Sequence, residues 1–135
     1  MVNLQILKTL NEENIRKAET EKLVEEIING LREKKGKRII TLDLQKIDNA
    51  VTDFFVVCSG DSNTHVNALA ASVEEEVKKA LKDKPWHVEG TTNGEWVLMD
   101  YVNVVVHIFQ RTQREHYNIE GLWADAIINE FDEEA

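Results

Sequence analysis

The sequence has few of the residues that cross-link a chain or break its regular structure. Among 135 residues there is one cysteine, Cys58, and one proline, Pro85. A single cysteine permits no disulfide within the chain, and the position of Cys58 in an apolar run predicts a small buried thiol. There is no Pro/Gly/Ser-rich linker and no internal repeat. We therefore expect a single folded domain, which is usual at this length.

Long hydrophobic runs are also missing. No stretch approaches the roughly 18 apolar residues that a membrane-spanning helix needs. Asn3, Gln5 and Lys8 interrupt the opening residues, where a signal peptide would require an apolar centre. These absences predict a cytoplasmic protein with no membrane association.

Positive charge is scarce, with 16 basic against 25 acidic residues and a net charge of −9. Because such a charge repels phosphate backbones, we expect no direct binding to nucleic acid. A basic protein is the better electrostatic partner. The same charge also serves solubility, so by itself it does not identify a partner.

The apolar pattern divides the chain into three parts. Residues 1–18 are polar with loosely spaced leucines and are interpreted as an N-terminal extension, residues 19–129 as the domain, and residues 130–135 as an acidic tail. From Thr20, apolar residues recur at helical spacing as far as Gly36, which suits the C′ position of a helix.

Two more helices are predicted. Ser62 can cap a helix that carries one apolar stripe and stops before Pro85. Asn118 can cap a final helix whose inward residues would be Leu122, Trp123, Ala126 and Ile127.

Five segments have the alternating or continuous apolar pattern of strands: 38–44, 53–58, 86–89, 95–101 and 104–109. Two strands joined by a crossover helix are expected to pair in parallel, whereas the last two strands are expected to form an antiparallel hairpin. The predicted fold is therefore α/β, with a mixed β-sheet covered by helices.

The hairpin should have two unlike faces, because alternate residues of a strand share a face and opposite residues have a constant index sum. A two-residue loop at Val102-Asn103 gives an aliphatic face of Val97, Met99, Tyr101, Val104, Val106 and Ile108. It gives a mixed face of Trp96, Leu98, Asp100, Val105, His107 and Phe109. The aliphatic face is predicted as core. The mixed face fits either a recognition surface or an interior covered by the same chain, and a three-residue loop would exchange the two faces.

Catalytic and metal patterns are weak. Ser59 or Ser62 with His107 could be drawn as a catalytic triad, but no nucleophile-elbow motif is present. The four histidines lie in four different elements without metal-ligand spacing, so we expect no metal site and no cofactor.

Five motifs in order resemble the iojap, or ribosomal silencing factor, family between about Thr20 and Ile128. They are Thr52-Asp53-Phe54-Phe55-Val56-Val57-Cys58-Ser59-Gly60; His87-Val88-Glu89-Gly90; Trp96-Val97-Leu98-Met99-Asp100-Tyr101; Val104-Val105-Val106-His107-Ile108-Phe109; and Tyr117 with Leu122-Trp123.

The resemblance implies a nucleotidyltransferase-like topology without catalysis. It implies a factor that binds a basic protein, protein fourteen, on the intersubunit face of the large ribosomal subunit. Such a factor blocks joining of the small subunit and represses translation when nutrients are scarce. The family pattern adds Tyr101 to the mixed face as the predicted partner-binding set, which is Trp96, Leu98, Asp100, Tyr101, Val105, His107 and Phe109.

The chain departs from the family at the hairpin tip, where Val102 and Asn103 stand in place of the usual Gly and Asp. A turn of type I′ would be strained at valine. Two other functions remain open. A nucleotidyltransferase would need paired strand carboxylates, which are missing from the predicted strands, and a self-associating module would use the mixed face to form a homodimer.

Overall fold

The computed structural model describes residues 3–131 as one layer of sheet with helices on both sides. In chain order the elements are α1 (Leu4–Glu33), β1 (Lys37–Asp43), β2 (Phe54–Gly60), α2 (Asn63–Leu81), β3 (His87–Glu89), β4 (Trp96–Asp100), β5 (Val104–Gln110), α3 (Arg111–Tyr117), α4 (Ile119–Leu122) and β6 (Ile127–Phe131). The predicted α/β class with a mixed sheet is confirmed.

The first helix begins earlier than the sequence pattern indicated. Asn3 caps α1 by accepting a hydrogen bond from the Gln5 N–H at 2.8 Å, and the helix then continues without a break to Glu33. Residues 3–19 are all exposed, and Thr20 is the first buried residue. From Leu4 onward the predicted extension is therefore helical, whereas the domain boundary after residue 18 stays a prediction.

The end of α1 corrects a second expectation. The left-handed C′ residue is Lys35, with φ +58°, and Gly36 is the next residue along. The Gly36 N–H donates to the Leu31 carbonyl at 2.8 Å and the Lys35 N–H to the Arg32 carbonyl at 3.0 Å, which is a Schellman motif. Gly36 is needed for another reason: a Cβ there would lie 2.5 Å from the Cys58 sulfur.

The six strands lie in the order β3-β4-β5-β2-β1-β6. β2 and β5 pair in parallel through the crossover that contains α2, and all other neighbours are antiparallel. Cys58 in the central strand β2 is buried, as predicted.

Helices α1 and α2 pack together over one face of the sheet. Ser62 caps α2, as predicted, by accepting from the His65 N–H at 3.0 Å. The two helices approach closely at Gly30, where a Cβ would lie 2.8 Å from the Val73 Cα. The Ser72 hydroxyl donates to the Gly30 carbonyl at 2.7 Å across the same contact. This layer buries the aliphatic face of the hairpin.

The C-terminal part differs most from prediction. The sequence pattern did not indicate α3, which ends just before Asn118. The single helix expected from Asn118 is replaced by the one-turn helix α4 and the edge strand β6, which pairs with β1. Leu122 and Ile127 are exposed, whereas Trp123 and Ala126 are partly buried. Glu130 belongs to β6, and the predicted acidic tail from residue 132 onward lies outside the described residues. The apolar pattern did not predict β6 because an edge strand is defined by its pairing with a distant strand, here β1, and not by local periodicity.

Within residues 3–131, no helix combines the length and the apolar character that crossing a membrane would require.

Candidate partner-binding surface

The predicted register of the β4–β5 hairpin is confirmed. Trp96 pairs with Phe109 and Asp100 with Val105, and the Tyr101 N–H donates to the Val104 carbonyl at 2.8 Å. The loop therefore contains two residues, and the aliphatic and mixed faces are those derived from the sequence. The mixed face continues across the sheet onto β2 and β1 through Phe55, Val57, Ile40 and Leu42.

The seven predicted site residues fall into three groups that differ in burial or in face. Trp96, Leu98 and Asp100 are partly exposed. Val105, His107 and Phe109 are buried beneath them, so these three support the surface and do not form it. Tyr101 is buried on the aliphatic face, and burial together with the charges of Glu74 and Asp83 raises the pKa of its phenol. The structure thus brings six of the seven together and places Tyr101 apart from them.

Trp96 is held by two ring-packing contacts and one hydrogen bond. Its indole stacks on Phe109, with centroids 4.9 Å apart, and packs against Tyr117 at 4.7 Å. The indole N–H donates to His107 Nδ1 at 3.1 Å. These contacts hold the indole in one orientation and leave its side chain little conformational freedom.

His107 is a neutral orienting group. It is 3% exposed, and burial lowers the pKa of its imidazole from 6.5 to about 4. Since Nδ1 accepts from Trp96, the proton is assigned to Nε2, which has no hydrogen-bond partner within residues 3–131. The Phe55 ring lies edge-on to the imidazole at 4.6 Å. An imidazole in this setting stays uncharged at neutral pH and positions Trp96.

Two further residues join this surface. Tyr117 at the end of α3 packs on Trp96, and Trp123 lies edge-on to Phe55 at 5.8 Å. Leu122, immediately before Trp123 in the chain, is 78% exposed. Sequence reasoning placed Leu122 and Trp123 on an inward helix face and did not predict α3. The available signal was the occurrence of Tyr117, Leu122 and Trp123 in the last family motif.

Arg114 holds α3 against the sheet. Its guanidinium Nη1 donates to the Arg38 carbonyl at 2.6 Å and to the Ser59 hydroxyl at 2.9 Å, and Nε lies 3.4 Å from a Glu120 carboxylate oxygen. Burial lowers the pKa of the guanidinium, while the charge of Glu120 acts in the opposite direction. Through α3, this buried cation sets the position of Tyr117 beside Trp96.

The hairpin tip contains a strained residue. Val102 has φ +77°, and the Asn103 N–H donates to the Tyr101 carbonyl at 3.0 Å, so a three-residue γ-turn centred on Val102 lies within the two-residue loop. The Asp100 carboxylate accepts from the Val102 N–H at 2.7 Å. A positive φ at a β-branched residue is a true outlier. The strain anticipated for valine is present, and the loop is no wider for it.

The catalytic alternatives are not assembled. Ser59 Oγ accepts from Arg114, Ser62 Oγ accepts from the His65 N–H, and His107 bonds to neither serine. Across residues 3–131 there is also no group of three or more His, Cys, Asp or Glu side chains placed to hold a metal ion.

Residues 17–135 match the protein family described as "Ribosomal silencing factor during starvation". A Ribosomal silencing factor RsfS from Chromobacterium violaceum is 44% identical over 96 residues, covering 71% of this chain and 77% of that protein. A crystal structure of protein CV0518 from Chromobacterium violaceum has a TM-score of 0.72 at 40% identity, covering 77% of this chain and 85% of its own.

A more distant mouse relative is named "Mitochondrial assembly of ribosomal large subunit protein 1". It is 26% identical over 102 residues, which cover 74% of this chain and 44% of the mouse protein. The match thus extends beyond bacterial proteins to one whose name refers to the large ribosomal subunit.

Proposed function

The chain belongs to the ribosomal silencing factor family, and from that premise we propose that it binds the large ribosomal subunit through the mixed face of its hairpin. The partner is a basic protein on the intersubunit side, protein fourteen. The bound factor occupies space that the small subunit needs, so translation falls when nutrients are limited. The protein acts in the cytoplasm. It acts as a steric block and catalyses no reaction.

The observation that carries this proposal is a fixed aromatic group that remains partly open to solvent. Trp96 and Leu98 are partly exposed on the mixed face, and the exposed Tyr117 ring, packed on Trp96, extends the apolar surface beyond the hairpin. Tryptophan and tyrosine are the residues in which binding energy is most often concentrated at protein interfaces. Exposed apolar patches of this kind commonly mark an interaction site.

The negative net charge of the chain supports a positively charged protein as the partner. The net charge of −9 disfavours ribosomal RNA and favours a basic protein. The electrostatic part of the attraction acts over a Debye length of about 8 Å at physiological salt. Association with the subunit should therefore slow as salt is added, and an on-rate that ignores salt would count against this choice of partner.

Sedimentation with purified ribosomal particles tests the proposal. We expect the protein to travel with free large subunits and to be absent from intact ribosomes, because a bound small subunit would cover the site. Equal binding to both particles would contradict the steric mechanism. Sedimentation of the protein alone distinguishes the homodimer alternative, in which the mixed face pairs with a second copy and the large subunit competes for it.

A further inference from the structure

The first half of α1 carries apolar side chains that the rest of residues 3–131 leaves exposed. Every residue from 3 to 19 is exposed, and α1 joins the core only from Thr20 onward. Isolated helices of this length are marginal in water, and most helices are stabilised by packing of an apolar face. A partner for these side chains would therefore stabilise the segment. Most of it precedes residue 17, where the match to the family begins.

Five of these residues form one stripe along the helix. At 3.6 residues per turn, residues three or four apart lie one above another on the same side. The stripe members are separated by three, four, four and three positions, and they are Leu4, Leu7, Asn11, Ile15 and Ala18. Leu4, Leu7 and Ile15 are 81%, 43% and 59% exposed. We call these five residues the α1 stripe.

The spacing of the α1 stripe is the same in both directions from Asn11. Two-fold pairing of antiparallel helices requires this symmetry, because the same surface then meets itself. Leu4 of one copy would face Ala18 of the other. Leu7 would face Ile15, and Asn11 would lie on the axis and face its own copy. An amide both donates and accepts hydrogen bonds, and a single asparagine in an apolar helix seam fixes the register.

The length of the exposed segment fits the same register. Asn3 of one copy would face Glu19 of the other, so the pair would use the whole exposed segment and end at Thr20, the first buried residue. With their flanking residues, two such stripes would bury on the order of 1,000 Å², which is the lower limit for a specific interface. The dimer should therefore be reversible and depend on protein concentration.

The charge of this segment favours a second copy as the occupant. Residues 4–19 contain three basic and three acidic side chains, which are Lys8, Arg16, Lys17, Glu12, Glu13 and Glu19. The net charge of −9 therefore belongs to the rest of the chain. A basic partner would be attracted to that acidic remainder, whereas two copies, which repel each other elsewhere, can approach along a neutral segment.

We propose that the α1 stripe is a self-association surface, through which two copies pair as antiparallel helices. The inference does not depend on the proposed function. Helix α1 packs on the aliphatic side of the sheet, and the mixed face is on the other side. This dimer therefore differs from one formed through the mixed face and does not use Trp96.

Sedimentation equilibrium of the full-length chain over a range of concentrations tests the proposal. The wild type should convert from monomer to dimer as concentration rises. Ile15→Asn removes an apolar group from both copies at once, so the variant should dimerise at least about tenfold more weakly. Its free energy of unfolding should hardly change, because Ile15 is exposed.

Ile6→Asn is the matched control, since the same substitution is made at an exposed site on the side of α1 away from the stripe. It should dimerise like the wild type. A wild type that stays monomeric, or equal dimerisation by Ile15→Asn, would overturn the proposal. So would a dimer that is lost in Trp96→Ala and kept in Ile15→Asn, because the mixed face would then be the interface.

Single cysteines determine the direction of pairing. The native Cys58 is buried and should not react when an oxidant is added. Asn11→Cys should form a disulfide with its own copy, and Leu4→Cys should link to Ala18→Cys in a mixture of the two variants. A parallel pair would instead link Leu4→Cys to itself, and that result would overturn the antiparallel register.

Discussion

The two faces of the β4–β5 hairpin alternate residue by residue and have opposite surroundings. The aliphatic face lies under α1 and α2 and is buried throughout. The mixed face has no long helix over it: α3, α4 and Trp123 cover its buried residues and leave Trp96, Leu98 and Asp100 partly open. One strand thus supplies core on one face and a partly exposed surface on the other. Neighbouring substitutions should therefore affect different properties.

We expect the largest difference in stability between alanine substitutions at Met99 and at Leu98. Met99 is fully buried on the aliphatic face, and Met99→Ala should lower the free energy of unfolding by about 2–5 kcal/mol. The affinity of the folded fraction for large subunits should not change. Leu98→Ala, one position away and partly exposed, should be less destabilising and should weaken binding. Urea titration and subunit binding measure the two effects, and a reversed outcome would mean that the faces have been assigned the wrong roles.

The pH dependence of stability should reflect the neutral His107. Burial lowers its pKa from 6.5 to about 4 in the fold. Between these values the unfolded chain binds more protons, so the free energy of unfolding falls as pH falls through that window, by about 3 kcal/mol in full. His107→Phe should flatten this dependence in urea titrations between neutral and acidic pH, and the exposed-site control His116→Gln should keep it. An unchanged slope in His107→Phe would assign the acid sensitivity elsewhere.

Trp96→Ala should affect binding more than folding. Truncating an interface tryptophan commonly costs at least about 2 kcal/mol of binding. Because Trp96 is only partly buried, its truncation should destabilise the fold by less than the roughly 3–5 kcal/mol of a core tryptophan. Trp96→Phe retains a ring that can pack on Phe109 and Tyr117, so its binding affinity should lie between those of the wild type and Trp96→Ala. Loss of the folded state in Trp96→Ala, with binding intact in Trp96→Phe, would make Trp96 a core residue.

Substitutions at Asp100 should have the smallest effect on stability. Two variants separate the role of its charge from that of its hydrogen bond. Asp100→Asn keeps an oxygen that can accept from the Val102 N–H, whereas Asp100→Ala removes it. We expect Asp100→Ala to destabilise by about 1 kcal/mol and Asp100→Asn by less. If both weaken subunit binding equally, the carboxylate charge is what the partner contacts. If only the alanine variant does, Asp100 acts by shaping the tip.

The sequence was informative about the hairpin because its geometry follows from two local facts. Strand residues alternate with a period of two, and a two-residue loop sets the register. Trp96, Leu98 and Asp100 could therefore be grouped without coordinates. Their exposure could not, because it depends on where α3 lies.

The elements that could not be predicted from the sequence depend on contacts between distant segments. Arg114 joins α3 to Arg38 and Ser59, residues 76 and 55 positions away, and β6 exists as a strand only beside β1. The exposed half of α1 has no buried face whose period could reveal it. It is helical through continuity with the packed half and through the Asn3 cap.

Joining of purified ribosomal subunits, followed by light scattering, tests the central claim most directly. The wild-type protein, added to large subunits first, should reduce joining in proportion to the fraction of subunits occupied. Trp96→Ala, shown to be folded, should fail to reduce it. The control Ile6→Asn, at an exposed position near the start of α1, should act like the wild type. Inhibition by Trp96→Ala equal to that of the wild type, or undisturbed joining with the wild type bound, would contradict the assignment of the mixed face as the surface that silences the ribosome.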